Sequence, residues 1–201
     1  RCRGPLHAIR SMQDIQVLGE VIPGADGLDA LSHLCDIDAE NRFEADPVLR
    51  LGLLVPGTDA AGHLCARWRL SNDDRARLVG IANAKTRVRF PVADDALGAL
   101  LYREGQELMA GLVRLAWARS GDHVRDPVWV RLLDRVLGWR RPLLPVDGSD
   151  VLRAGLPEGP LVGRVLGEVE RWWIDAGFPA DPRLVRQRLQ AVVASHVLRP
   201  G

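Results

Sequence analysis

The run Asp46-Pro47-Val48-Leu49-Arg50-Leu51-Gly52-Leu53-Leu54-Val55-Pro56-Gly57-Thr58 leads through Trp68 to Arg69-Leu70-Ser71-Asn72-Asp73-Asp74-Arg75. Asp46 is an N-cap followed by a first-turn proline, and Pro56-Gly57 closes the helix that they open. Thr58 offers a cap for a second helix reaching Trp68. Ser71, with a carboxylate three residues on at Asp74, has the form of a capping box ahead of Leu78, Val79 and Ile81. None of these three helices is long enough to be stable alone, so they must share a core.

Composition agrees with that reading. The 201 residues suit one large domain or two small ones, and 47% hydrophobic content excludes disorder and fibres. Leu (30) and Ala (22) far outnumber Ile (6) and Thr (2), which favours helix, while 21 Val leave room for a small sheet. Helical spacing recurs at Leu97, Leu100 and Leu101, at Leu108, Leu112, Val113, Leu115 and Ala116, and at Val128, Leu132, Leu133, Val136 and Leu137. Lys85 to Val92 alternates and is read as an extended connector, with Pro91 confining any strand to an edge. Arg140-Arg141-Pro142-Leu143-Leu144-Pro145 breaks helix. The expected fold is therefore all-α: an irregular helical bundle over 1–141 and a small C-terminal helical tail over 142–201, with helices near 149–154, 159–176 and 181–197.

No apolar stretch reaches the eighteen or so residues of a membrane span, and the first residues have neither an initiator Met nor a signal-peptide core. The expectation is a soluble, cytoplasmic chain with no membrane partner, beginning inside a longer protein. Cys2, Cys35 and Cys65 form an odd set that suits a reducing compartment. His33-Leu34-Cys35 and His63-Leu64-Cys65 supply two imidazoles and two thiols, but residues two apart on a helix point roughly 200° apart. They are read as packed residues, not as a zinc set.

Twenty-seven basic residues, 26 of them Arg, face 26 acids, so the net charge of +1 advertises no polyanionic partner. The distribution is uneven. Residues 26–46 sum to −6, whereas 63–89 reach +5, 131–141 reach +3 and 183–199 reach +4. The acidic stretch, including Asp36-Ile37-Asp38, is read as a solvated helix face. Among the bases, Arg67, Arg69, Arg75, Arg77, Lys85, Arg87, Arg89, Arg140 and Arg141 are candidate phosphate contacts, because the guanidinium fork matches phosphate oxygens. Trp68 between two arginines and Trp139 beside Arg140 are candidate base-stacking platforms. A core aromatic beside snorkelling arginines is the alternative. Of the adjacent pair Trp172 and Trp173, one should anchor the core and the other its margin.

Known nucleotide, hydrolase and metalloprotease motifs are missing from the sequence. The segment Pro145-Val146-Asp147-Gly148-Ser149-Asp150-Val151-Leu152-Arg153-Ala154-Gly155-Leu156-Pro157-Glu158-Gly159-Pro160-Leu161-Val162-Gly163-Arg164 is the most informative. It reads as a short helix capped by Ser149 or Asp150, a Gly155 C-cap, a tight turn, and a helix entered through Pro160. Its free N–H groups, with Arg153 or Arg164, would suit a phosphate.

That segment and the following helix with Trp172-Trp173 resemble the C-terminal end of bacterial tRNA nucleotidyltransferases, the CCA-adding enzymes, and their poly(A) polymerase relatives. Arg69 to Arg75 and Asp46 to Leu51 are similar to the same family's helical body. Ala8-Ile9, Met12, Val17-Leu18 and Val21-Ile22-Pro23 are similar to the helix before it, with Gln16 and Gly24 standing where the family usually has a glycine and an acid. The resemblance is strongest at 46–81 and 145–173. It implies a body-and-tail portion that holds tRNA for 3′-end CCA addition. The partners implied are tRNA and an N-terminal catalytic head. The catalytic carboxylates, magnesium and ATP or CTP belong to that head, which lies N-terminal to everything matched, so the chain is expected to have no catalytic residues, cofactor or metal of its own and to be inactive alone. The rival reading is a helical protein-interaction module without RNA binding, docking through its acidic block.

Overall fold

The computed structural model describes residues 6–197, apart from the side chains of Asp94 and Asp95. Cys2 and Arg199 lie outside them. The fold is all-α: the described residues form twelve helices and no strand. The helices are α1 (Leu6–Asp14), α2 (Leu18–Val21), α3 (Leu28–Glu40), α4 (Pro47–Leu54), α5 (Thr58–Trp68), α6 (Asn72–Arg87), α7 (Asp94–Glu104), α8 (Gln106–Ser120), α9 (Pro127–Gly138), α10 (Gly148–Arg153), α11 (Pro160–Asp175) and α12 (Pro182–Val197). The chain divides into two compact units. One comprises the described residues up to Val92 together with Glu104–Trp139, the other Ala93–Arg103 and the described residues from Arg140 on. Residues 93–103, assigned to the body from sequence, thus group with the C-terminal helices.

In the first unit, α3 packs on α4 and α8, and α6 packs on α4, α5 and α8. Leu31, Leu34 and Ile37 of α3 are fully buried, as are Leu53 of α4, Leu78 of α6 and Trp117 of α8. Asp46 caps α4 as expected, its Oδ1 accepting from the Val48 and Leu49 N–H groups at 3.1 and 3.0 Å. Gly52 in mid-helix permits close packing on α6, since a Cβ there would lie 2.6 Å from Ile81 Cγ2. Two local expectations are corrected. Thr58 is the first residue of α5 and caps nothing, the N-cap being Gly57. Lys85 to Arg87 belong to α6, so the extended connector begins only at Val88, where the helix ends.

The acidic stretch departs furthest from expectation. Asp38 is not solvated. It is 3% exposed, because the spacing that buries Leu31 and Leu34 carries position 38 to the same face of α3. Arg114 of α8 donates to its Oδ1, through Nε at 3.1 Å and also through Nη2. Arg50 of α4 donates to Oδ2 at 3.4 Å. The Arg114 guanidinium also lies 5.0 Å from the Phe43 ring centroid. Burial pushes the Asp38 carboxyl up, and Arg114, then Arg50, pull it back toward the charged form.

The second unit is built from Leu97 and Leu101 of α7 with α10, α11 and α12. Tyr102, Trp173 and Phe178 form an aromatic cluster with centroids 5.0 to 5.9 Å apart. Trp173 is buried, whereas Trp172 is half-buried beneath Arg188. The cap of α10 is Asp147, with Asp150 completing the capping box, rather than Ser149 or Asp150.

Replacing Asp38 by Ala leaves two largely buried guanidiniums without their anion and should destabilise the first unit by about 3–5 kcal/mol, read from urea unfolding. Asp36→Ala, exposed on the same helix, should stay within about 0.5 kcal/mol of the parent. Equal effects would show that Asp38 is not a structural anchor.

Candidate nucleic-acid interface

The arginines expected to contact phosphate divide into those engaged within the fold and those that are not. Arg77 donates to Asp46 at 2.7 Å and lies 3.2 Å from Glu107. Arg87 pairs with Glu104 at 3.2 Å. Lys85 reaches back from α6 to the end of α4, donating to the Gly52 and Val55 carbonyls at 3.0 and 2.5 Å. Desolvation and the nearby Arg119 push its pKa down. It satisfies helix carbonyls that would otherwise lack a partner. In the second unit Arg141 lies over the Tyr102 ring, 3.9 Å from its centroid, and donates to the Tyr102 carbonyl. Arg153 turns back onto Ser149 and Asp150 of its own helix, leaving Arg164 alone at the exposed start of α11.

Four of the seven acids at 26–46 are paired as well. Beyond Asp38 and Asp46, Asp26 meets Arg119 at 3.2 Å, and Glu40 pairs with Arg125. The acidic block is largely neutralised by arginines from elsewhere in the first unit. Asp36 is exposed and Asp38 buried on the same helix, so the D-x-D carboxylates do not converge. Among the described residues no group of three metal-capable side chains gathers. His33 meets the Ala118 carbonyl at 3.1 Å, and Cys65 is buried.

Two of the candidates left without an ion pair, Arg69 and Arg75, flank the corner where α5 turns into α6. The side chains of Arg69, Arg75 and, beyond the far end of α6, the connector residue Arg89 are exposed, and no side-chain hydrogen bond or ion pair joins any of them to a described residue. Arg67 is exposed and donates to the Glu20 carbonyl at 2.7 Å. Trp68, the last residue of α5, is 40% exposed. The corner is formed by Arg69 at φ 52°, ψ 47°, with the Leu70 N–H bonded to the Cys65 carbonyl at 3.1 Å. This helix-ending geometry normally takes glycine, and an arginine in it stores roughly 1 kcal/mol of strain. Ser71 then caps α6, its Oγ accepting from the Asp74 N–H at 3.1 Å.

No protein-family model matches this chain. Part of it is similar to an uncharacterized 28 kDa protein in the petA 5′ region of Rhodospirillum rubrum. The two are 36% identical over 104 residues, covering 47% of this chain and 39% of the length of that protein. The chain thus spans about two fifths of the curated relative it matches.

A cleft of about 810 Å³ opens in the same unit between α4, α6 and the start of α8. Its charged lining of Asp46, Glu104 and Glu107 against Arg77 and Arg114 is net acidic, which does not suit phosphate. The second expected stacking platform, Trp139, is half-buried at the end of α9, where its carbonyl accepts from Gln106. Arg140 is exposed and carries no such bond. In the sequence the corner residues stand out only as part of the basic stretch 63–89, whose arginines look alike. The distinguishing signal was weak: Arg69 stands where a helix stop calls for glycine. No helix among the described residues is long and apolar enough to cross a membrane.

The division of labour is measurable. Lys85→Met removes the donor from the Gly52 and Val55 carbonyls and should cost about 1–3 kcal/mol of stability, whereas Arg89→Met should change stability by less than about 0.5 kcal/mol. The reverse order would overturn the structural role given to Lys85.

Proposed function

We propose that this chain is a tRNA-binding helical portion of a tRNA nucleotidyltransferase or poly(A) polymerase family protein, positioning tRNA for 3′-end CCA addition by a catalytic head outside the matched residues. The observation that carries the reading is the α5–α6 corner, where the Arg69 and Arg75 side chains form no ion pair and Arg69 is held in a strained conformation. Strain of this kind persists where surrounding structure enforces it and concentrates at functional positions. Exposed guanidiniums of this sort hold an RNA backbone in place without reading its sequence.

A second observation supports the family resemblance. Gln16, standing where the family usually has glycine, has φ +60°, the left-handed backbone that glycine adopts without strain. The neutralised acidic block weighs against the rival module that would dock through it. Magnesium and ATP or CTP belong in this reading to the head. The reading sets the protein in the cytoplasm, in keeping with the free thiols of Cys35 and Cys65.

Titrating the chain with tRNA at two salt concentrations tests the proposal. Binding should be saturable and weaken steeply with salt, each lost phosphate contact lowering the logarithmic slope by about 0.7–0.9. Arg69→Gly should weaken binding while leaving the unfolding midpoint equal or higher, since glycine relieves the strain. The chain alone should transfer no nucleotide from ATP or CTP with magnesium. Absence of saturable, salt-sensitive binding would favour the protein-docking alternative, and measurable transfer would refute the assignment of chemistry to a separate head.

A further inference from the structure

We propose that the Trp68 indole is a stacking platform for an unpaired base, so that the α5–α6 corner prefers looped or single-stranded RNA to continuous duplex. The inference rests on the RNA-binding reading above and names the form of RNA that this corner takes.

The tryptophans are not equivalent. Trp117 and Trp173 are buried, Trp129 stacks on Trp117 at 6.4 Å and donates to Asp122, and Trp172 lies beneath Arg188. Trp139 is half-buried. Trp68 is the exposed one, and neither its ring nor its N–H has a described partner. Helical side chains lean toward the N-terminus, so an interior residue is partly covered by those three and four positions on. Trp68 ends α5, and the chain reverses at Arg69, so it has no such cover.

The three arginines of the corner outnumber its two carboxylates, Asp73 and Asp74. Arg67 is tethered to the Glu20 carbonyl, Arg69 is fixed by its backbone, and Arg75 stands in the first turns of α6. These cations suit the phosphates flanking a base whose face lies on the indole. A continuous duplex keeps its base faces stacked on one another and offers the indole nothing, whereas a splayed base offers a whole face.

The test measures binding of the full chain to a stem-loop RNA and to a blunt RNA duplex of equal phosphate count, by fluorescence anisotropy at two salt concentrations. The parent should prefer the stem-loop by roughly tenfold. Trp68→Ala should abolish that preference without changing the salt slope, and Trp68→Phe should keep most of it, with helix content checked by circular dichroism. An unchanged preference in Trp68→Ala, or no preference in the parent, overturns the stacking site. If Arg69→Ala with Arg75→Ala still weakens binding, that failure leaves the RNA-binding reading intact. No RNA binding at all overturns both.

Discussion

A single buried carboxylate, shared by two arginines from different helices, organises the first unit. Asp38 cannot be desolvated without counter-charge, and neither Arg50 nor Arg114 can lie against an apolar core without an anion. The three groups therefore come together or not at all, fixing α4 and α8 against α3. The position of α4 then sets where Gly52 admits Ile81, and so where α6 lies. The corner preceding α6 follows from that placement. A polar contact in the interior thus orients a solvent-facing element at some remove in sequence.

The near-neutral balance of 27 bases and 26 acids conceals a sorting by the fold. Arg50, Arg77, Arg114, Arg119 and Arg125 hold carboxylates of the 26–46 stretch. Arg69, Arg75 and Arg89 are left facing solvent. Exposed ion pairs add little stability each, but they remove negative charge from the surface. The cations left over then act in a field less opposed than the linear charge map suggests. The acidic block, conspicuous in the sequence, is in the folded protein mostly the counter-ion of the structure.

Helix existence was legible because it depends on neighbours in the chain. Asp46 before Pro47, Ser71 before Asp74, and Gly159 before Pro160 each mark a helix start with local chemistry. Where two local signals competed, the sequence misled. Thr58 resembles a cap, yet the extended Gly57 takes that place, and Ser149 lies inside the helix that Asp147 caps. The role of Asp38 was illegible for another reason. Its partners lie 12 and 76 residues away, and neither acidic content nor helical spacing reveals a long-range guanidinium. The grouping of residues 93–103 with the C-terminal helices likewise rests on contacts such as Tyr102 with Trp173 and Glu170. Composition marked the basic stretch 63–89 as a whole, but only the tertiary partners separate Lys85 and Arg77 from Arg69 and Arg75.

The sole lysine of the chain has a consequence of its own. Its ε-amine is held between two backbone carbonyls, half-buried, with a depressed pKa. Side-chain acylation must therefore wait for α6 to release the end of α4. In a protein whose other 26 cations are arginines, which such reagents do not touch, lysine modification becomes a clock for the opening of one joint, with no second amine side chain to blur the reading.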